Sequence, residues 1–265
     1  VDRAIEQTEA LIAKQQRIKT GLMADLLTRG IDADGNLRSE ATHKFKDSLL
    51  GRIPVEWEVV ALGATANISS GITLGNIPES KDTIELPYLR VANVQDEYLD
   101  LSTVAAIRVP RSYLARIKLE VGDVLMNEGG DFDKLGRGTI WRGEIDQCLH
   151  QNHVFKVRPQ CSVLQSEYLA YVSASPFGKA FFVRASKQST NLASINSTQL
   201  KSFPLPLPSY DEQIKISNLI DHGDRVLTGQ KHKHKKLHAL KTALMQDLLT
   251  GKKRVTPLLE EEMAV

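Results

Sequence analysis

The chain has 265 residues, of which 42% are hydrophobic and 25% charged, proportions ordinary for a globular protein with one or two domains. A net charge of +2 and a pI near 8.4 exclude a strongly basic nucleic-acid binder, so any DNA contact must depend on local positive charge. No apolar run approaches the roughly 20 residues that cross a bilayer, and the first residues are unlike a signal peptide. Cys148 and Cys161 lack metal-ligand spacing, which predicts two reduced thiols in a cytoplasmic protein.

The first segment, from about residue 2 to 29, predicts one long helix. It is rich in Ala, Glu, Gln, Lys and Leu, contains no proline, and is followed by Gly30. Its larger apolar residues form a narrow stripe, which is typical of a helix in a coiled coil. The stripe consists of Leu11, Ile18, Leu22 and Leu26. Residues 31–52 then predict a surface linker that contains an Asp-Gly-Asn turn signal.

The middle of the chain predicts a mixed domain. Short segments rich in β-branched residues are separated by Gly, Asn or Asp, a pattern typical of strands. These segments are 59–62, 86–94, 104–109, 123–126, 138–141 and 153–157. Helical patterns occupy 111–117 and 166–183. We therefore predict an α+β fold class, in which a mixed α/β domain with a curved, largely antiparallel sheet is flanked by two long helices.

An alternating proline run leads into the second long helix. Because Pro204, Pro206 and Pro208 exclude both helix and interior strand, the run predicts an extended connector. Ser209 with Glu212 three residues later predicts a helix start, and the helical pattern continues to residue 250 apart from a predicted break near residues 222–223. Its apolar stripe is Leu237, Leu240, Leu244 and Leu248.

The two long helices carry nearly the same sequence. Residues 17–28 read RIKTGLMADLLT and residues 239–250 read ALKTALMQDLLT, with eight of twelve positions identical at an offset of 222. A solenoid repeat would recur every few tens of residues, so this distant repeat instead frames one domain between two equivalent helices. Such an arrangement suits a spacer that holds a reading domain.

Several motifs occur in one order along nearly the whole chain. They are DLLTRGID, GNLR, THKFKDS, IPVEWEVVALG, YLRVANVQ, GDVLMNEGG, INSTQLKSFPLPLPSYDEQ and DLLTGKKR. In this order they resemble the specificity subunit of type I restriction–modification systems. That family has two target-recognition domains separated by two antiparallel helices. This chain has room for one such domain, so the resemblance implies a half-length form that pairs with a second copy about a two-fold axis.

The resemblance implies a domain organisation and a set of partners. The expected parts are a spacer helix (1–30), a linker (31–52), a target-recognition domain (53–203), a proline-rich connector with the second spacer helix (204–251), and a tail (252–265). The expected partners are double-stranded DNA, methyltransferase subunits, restriction subunits and a second copy through the long helices, without a membrane. The chain itself is expected to be non-catalytic and to bind no cofactor, with S-adenosylmethionine, ATP and Mg²⁺ on partner subunits.

The residues themselves support this expectation of no catalysis. There is no Pro-Pro for the loop of an adenine methyltransferase and no G-x-x-x-x-G-K-[ST] for a translocase. Glu128, Asp131 and Asp133 lack regular ligand spacing, which favours a solvated or DNA-facing loop. His234 and His238 have metal-compatible i, i+4 spacing. However, the surrounding lysines of KHKHKK favour a solvated helix face or contact with an acidic partner or the DNA backbone, and we predict no metal site.

Four loop segments carry the amides, hydroxyls and cations that read DNA. The predicted contacts are Ser70 and Thr73; Arg90, Asn93 and Gln95; Asn127, Lys134 and Arg137; and Lys187, Ser189, Thr190 and Asn191. Strand alternation would place Asn93 and Gln95 on one face of the second segment. A salt bridge remains open as the role of Arg90, and turn chemistry as the role of Asn127.

Two other functions remain open from the sequence. One is the specificity end of a longer methyltransferase–nuclease fusion. The other is an interaction protein that occupies the methyltransferase without reading DNA, a decoy.

Overall fold

A computed structural model describes residues 1–75, 79–130, 135–136, 138–188 and 193–253. The helices within these ranges are α1 (Asp2–Thr28), α2 (Leu114–Ile117), α3 (Ser166–Ala174), α4 (Pro176–Ala185), α5 (Ser197–Lys201) and α6 (Tyr210–Leu249). The strands are β1 (Phe45–Ser48), β2 (Gly51–Pro54), β3 (Glu58–Ala61), β4 (Ala66–Ser70), β5 (Thr83–Leu89), β6 (Ala105–Pro110), β7 (Val124–Asn127), β8 (Gly129–Gly130), β9 (Gly138–Ile140), β10 (Leu149–His150), β11 (Val154–Pro159), β12 (Lys187–Gln188), β13 (Ala193–Ser194) and β14 (Pro204–Leu207). Among these elements, no helix has the combined length and apolarity of a membrane span. The predicted α+β class is confirmed.

The chain forms two compact units. The helix-pair unit contains Val1–Leu22 and Leu219–Val265, and the globular unit contains Met23–Asn218. The globular unit therefore includes the end of α1 and the start of α6, beyond the range 53–203 predicted for the recognition domain.

The helix-pair unit is an antiparallel pair within one chain. Ion pairs join Lys19 to Asp224 at 2.5 Å and Asp2 to Lys241 at 2.8 Å, and between them Glu9 Oε1 lies 3.0 Å from His234 Nε2. The residue numbers of the partners on α6 increase as those on α1 decrease, which is the order that antiparallel helices produce. The second helix extends beyond Lys241, the partner of Asp2, so the repeated stretch at 242–249 lies past this set of ion pairs.

The face of α1 that pairs with α6 follows alternating spacings of three and four residues. Its less exposed positions are Ile5, Thr8, Ile12, Gln15, Lys19 and Leu22. This heptad face includes several polar residues.

The predicted stripe is therefore partly wrong for pairing within the chain. Ile18 is 49% exposed and Leu248 is 48% exposed, and Leu11 and Leu240 are also exposed. They lie one position away from the buried heptad face, and neighbouring residues of a helix point in different directions. Leu22, Leu237 and Leu244 are half-buried. Leu26 is buried within the globular unit.

The second long helix is continuous. It runs from Tyr210 to Leu249 without the break predicted near residues 222–223. Gly223 does not have a positive φ angle, so it continues the helix at the modest cost of glycine's extra chain entropy. The backbone N–H of Glu212 donates to Ser209 Oγ at 3.3 Å, which agrees with the predicted helix start.

The core of the globular unit is built on a sheet of four strands. Its order is β4-β11-β7-β9, and every neighbouring pair is antiparallel. Its central strand β7 has all four residues buried. A second sheet, β10-β5-β6, contains one parallel pair, and the other described sheets have two or three short strands. The strands predicted as one curved sheet are therefore distributed among several small sheets.

The strands β1, β2 and β4 were among those missed by pattern, because their apolar residues are sparse. Strands β1 and β2 form a hairpin that begins in the predicted linker and ends two residues beyond it, and β4 reads ANISS. The predicted helix at 166–183 is divided at Ser175, since Pro176 starts α4 and Ser175 caps it. The proline run forms the strand β14, which pairs antiparallel with β3 in a sheet of two strands, where missing N–H groups are tolerated.

A buried carboxylate brings four sequence motifs together in the globular unit. Glu212 forms an ion pair with Arg38, and both side chains are only 10% exposed. Glu212 Oε1 also accepts from the Ile31 backbone N–H at 3.0 Å, and its Oε2 accepts from Trp57 Nε1 at 3.3 Å. Gly30 adopts a φ of 61°, and a Cβ there would lie 2.3 Å from Glu212 Oε1. The separate motifs RGID, GNLR, VEW and DEQ thus meet at one point.

Candidate nucleic-acid interface

Strand ends converge at one edge of the central sheet. Because β4 and β7 both run antiparallel to β11, the end of β4 at Ser70, the end of β7 at Asn127 and the start of β11 at Val154 lie together. We call residues 69–73, 127–130 and 150–154 the strand-end edge. Two of the predicted reading segments, 70–73 and 127–130, therefore meet here, although 54 positions separate Thr73 from Asn127 in the sequence.

The first reading segment is held tightly against the chain before β11. Ile72 N donates to His150 O at 2.8 Å, and a Cβ at residue 71 would lie 1.8 Å from that oxygen, so only glycine fits. His150 is fully buried and its Nδ1–H donates to Val154 O at 2.7 Å. Burial lowers the pKa of His150 to about 4, so it is neutral at physiological pH and supports the edge structurally. Ser70 and Thr73 are exposed beside it.

The second reading segment is a short helical turn rather than the predicted strand. Residues Val91–Asn93 form a 3-10 turn. Asn93 is buried, and its amide donates to Asp100 O at 2.8 Å and Thr103 O at 2.9 Å, while its Oδ1 accepts from Arg90 N at 2.8 Å. These contacts favour a structural role for Asn93 over the predicted DNA contact. The alternation that placed Asn93 and Gln95 on a common strand face is wrong, because a turn does not alternate.

The two other predicted residues of this segment are more accessible. Arg90 is half-buried, and its Nε is buried without a hydrogen-bond partner among the described residues. Gln95 is also half-buried, and its Nε2 donates to Ala92 O at 2.7 Å.

The third reading segment begins at a buried amide. Asn127 Nδ2 donates to Val94 O at 3.0 Å and lies 3.4 Å from Val91 O. It therefore fastens the 91–94 turn to the strand-end edge and joins the second segment to the third. This burial favours a positioning role for Asn127 over direct base contact. Lys134 and Arg137, the predicted cations of this segment, lie outside the described residues.

The fourth reading segment joins the same edge through two short strands. Strand β8 pairs with β13, and β13 pairs with β12, which begins at Lys187. Lys187 is exposed. The predicted contacts Ser189, Thr190 and Asn191 lie outside the described residues.

One exposed pair at the edge was not among the predicted contacts. His153 Nδ1 lies 2.5 Å from Glu128 Oε2, where β11 begins beside the end of β7. The signal in the sequence was the polar run Gln151-Asn152-His153 in front of a strand. The edge therefore presents hydroxyl groups at Ser70 and Thr73 and the His153–Glu128 pair, and the exposed Lys187 cation begins the strand that is joined to it through β13. Groups of these types bind phosphates and base edges.

Comparisons with known proteins place the chain in a family. A family model described as the type I restriction modification DNA specificity domain matches residues 54–239. The relative named as the MjaX type I restriction enzyme specificity subunit of Methanocaldococcus jannaschii is 27% identical over 208 residues, which cover 78% of this chain and 48% of that protein. The MjaVIII type I restriction enzyme specificity subunit of the same organism is 25% identical over 266 residues, which cover 97% of this chain and 58% of that protein.

Solved structures share the fold at low sequence identity. The HsdS subunit from Thermoanaerobacter tengcongensis aligns over 93% of this chain and 53% of its own, with a TM-score of 0.61 and 17% identity. The S subunit of a type I restriction–modification system from M. genitalium aligns over 92% of this chain and 56% of its own, with a TM-score of 0.55 and 16% identity.

The fold is one that the solved S subunits of type I restriction–modification systems share. The chain belongs to the family of type I restriction–modification specificity subunits. It spans about half the length of the curated relatives it matches.

Proposed function

We propose that this chain is a non-catalytic subunit that reads one half-site of double-stranded DNA and docks methyltransferase subunits in the cytoplasm. The observation that supports it is the convergence of the four predicted reading segments at the strand-end edge. Reading a groove requires donors and acceptors from several loops to face one surface, and a single loop carries too few of them.

Within this proposal the residues divide into two groups. Ser70, Thr73 and Lys187 are exposed and would contact bases or phosphates, as would the half-buried Arg90 and Gln95. Lys134, Arg137, Ser189, Thr190 and Asn191, which lie outside the described residues, stay proposed contacts. Asn93 and Asn127 would position these groups from inside the fold.

The helix-pair unit would serve as the spacer and as a docking surface. Its outward apolar residues, Leu11, Ile18, Leu240 and Leu248, are exposed, although apolar side chains on one helix face usually gain from burial. We propose that a second copy of the chain and the methyltransferase subunits cover this surface. Two copies would then present two identical half-sites, which suits a palindromic target. Restriction subunits would join through the methyltransferase, and S-adenosylmethionine, ATP and Mg²⁺ would stay on the partners.

The proposal is tested by DNA binding as a function of salt. The target is a duplex that contains the methylated sequence mapped in the source genome, compared with a random duplex, with and without the methyltransferase subunits. Lys187→Ala should weaken binding to both duplexes and reduce the slope of log K against log salt by about 0.9, the value for one phosphate contact.

Lys201→Ala is the matched control. Lys201 is exposed, and its Cβ would lie 3.0 Å from a Cβ on Gly63, which precedes β4. It is therefore at the opposite end of β4 from Ser70, and it should leave the slope unchanged. Equal slopes for Lys187→Ala and the parent chain would remove Lys187 from the interface. Equal affinity for mapped and random DNA in the presence of methyltransferase would favour the decoy function instead.

A further inference from the structure

The helix-pair unit contains a cluster of histidine and carboxylate groups far along the chain from the strand-end edge. Glu9 on α1 meets His234 and His238 on α6, and each offers one ligand atom within 4.8 Å of the others. His234 and His238 are one helical turn apart, so their rings project from the same face. Glu9 comes from the opposing helix.

The separations within this cluster suit a small tetrahedral cation. His234 Nε2 lies 3.0 Å from Glu9 Oε1, His238 Nε2 lies 3.8 Å from the same oxygen, and the two Nε2 atoms are 3.2 Å apart. A zinc ion with bonds of about 2.0–2.1 Å holds its tetrahedral ligand atoms roughly 3.3–3.4 Å apart. The three observed separations bracket this value, so the atoms would need to shift only by tenths of an ångström.

Hydrogen bonds alone satisfy the ring nitrogens of this cluster poorly. The two Nε2 atoms face each other at 3.2 Å, so they cannot both carry a hydrogen without the hydrogens meeting. One carboxylate and two imidazole nitrogens make a ligand set of the kind that binds zinc.

The neighbouring lysines oppose a cation only weakly. Lys231, Lys233, Lys235 and Lys236 are exposed, so water and dissolved salt reduce their repulsion. Their long side chains can also turn away from the cluster. Coordination bonds act at about 2 Å and are not reduced in this way, so the geometry of the ligands decides binding.

Although the sequence predicted no metal site, we propose that Glu9, His234 and His238 form a binding site for a divalent transition-metal cation, with Zn²⁺ as the ion that best suits the ligands and their spacing. Glu9 and His238 are more than half exposed, which leaves the fourth coordination position open to water. Because Glu9 is the ligand from α1 and the two histidines are on α6, the bound ion links the two helices of the spacer. This site does not depend on the proposed DNA-reading function.

The test uses the full chain without a histidine tag, freed of metal with a chelator. Co²⁺ is titrated first, because its visible absorption reports tetrahedral coordination, and Zn²⁺ is then added to displace it. We expect one equivalent to bind and Zn²⁺ to raise the melting temperature. Glu9→Gln and His238→Ala should each weaken binding at least about tenfold, since even groups behind a metal's ligands contribute that much.

His232→Ala is the matched control, because His232 is an exposed histidine in the same lysine-rich stretch but outside the cluster. It should leave both affinity and the melting shift unchanged, and circular dichroism should show every variant folded. Equal weakening in His232→Ala would assign binding to the lysine- and histidine-rich stretch in general and overturn the site. Full affinity in Glu9→Gln would show an ion held by α6 alone and overturn the link between helices.

Discussion

Replacement of Glu212 by Gln tests how the globular unit is held together. The carboxylate is 10% exposed and receives hydrogen bonds from Arg38, the Ile31 backbone and Trp57. The glutamine side chain would place an NH₂ group in front of at least one donor that now meets an oxygen, and it would leave the Arg38 guanidinium buried without a counter-charge. Breaking a buried ion pair from one side costs about 3–5 kcal/mol, and we expect Glu212→Gln to lower the free energy of unfolding by that amount.

The assay is urea unfolding followed by circular dichroism, together with amide exchange at Ile31. Glu58→Gln is the control, because Glu58 pairs with Lys46 at 3.2 Å but its side chain is 73% exposed. Its loss should cost less than about 1 kcal/mol. Arg38→Met removes the buried charge that Glu212→Gln leaves behind. The free energy of unfolding that the double variant loses should therefore be about 2 kcal/mol smaller than the sum of the losses in the two single variants. A cost for Glu212→Gln within about 1 kcal/mol of that for Glu58→Gln would refute the reasoning.

Two further predictions concern the strand-end edge and the spacer. Gly71→Ala should destabilise the chain by roughly 1–3 kcal/mol or more, because the added Cβ would lie 1.8 Å from His150 O. Gly21→Ala, whose Cβ would have nothing within 4 Å, should instead stabilise the chain by about 0.5–1 kcal/mol in thermal unfolding. A similar effect of the two substitutions would contradict the close approach at Gly71. The pKa of His150 is lowered to about 4 in the folded chain. The free energy of unfolding that neutral His150 contributes is therefore complete above pH 6.5 and is lost as the pH falls toward 4, with about 2 kcal/mol lost at pH 5. His150→Asn, which retains a donor toward Val154, should lack this part of the pH dependence in urea titrations between pH 7 and 5, and an unchanged dependence would show that His150 is not the group responsible.

Local patterns in the sequence were enough to predict the elements that depend on near neighbours. The long helices follow from composition over many turns, and the predicted strands overlap β3, β5, β6, β7, β9 and β11 because β-branched residues cluster there. The family resemblance also depended only on the order of short motifs. Strand β4 was missed because ANISS has a single large apolar residue. This segment is recognised as a strand only by its pairing with β11.

The roles of individual polar residues could not be predicted in this way. Asn93 and Asn127 have the side chains of base readers, yet both are buried and bind backbone carbonyls of the protein. Whether an amide faces solvent or the interior is decided by which segments pack over it, and those segments are distant in the sequence. The same holds for Glu212, which the sequence indicates only as part of a helix start and which binds Arg38 from a motif 174 positions away.

The sequence by itself determined that one mixed domain stands between two similar helices, because helix propensity and the repeat are properties of adjacent residues. Only the tertiary structure decided which face of each helix is used and which loops share an edge. A shift of one residue rotates a helical side chain by about 100°, so the buried heptad of α1 excludes Leu11 and Ile18 although both are apolar. Glu9 and the two histidines likewise became neighbours through antiparallel pairing, which no spacing along the chain records.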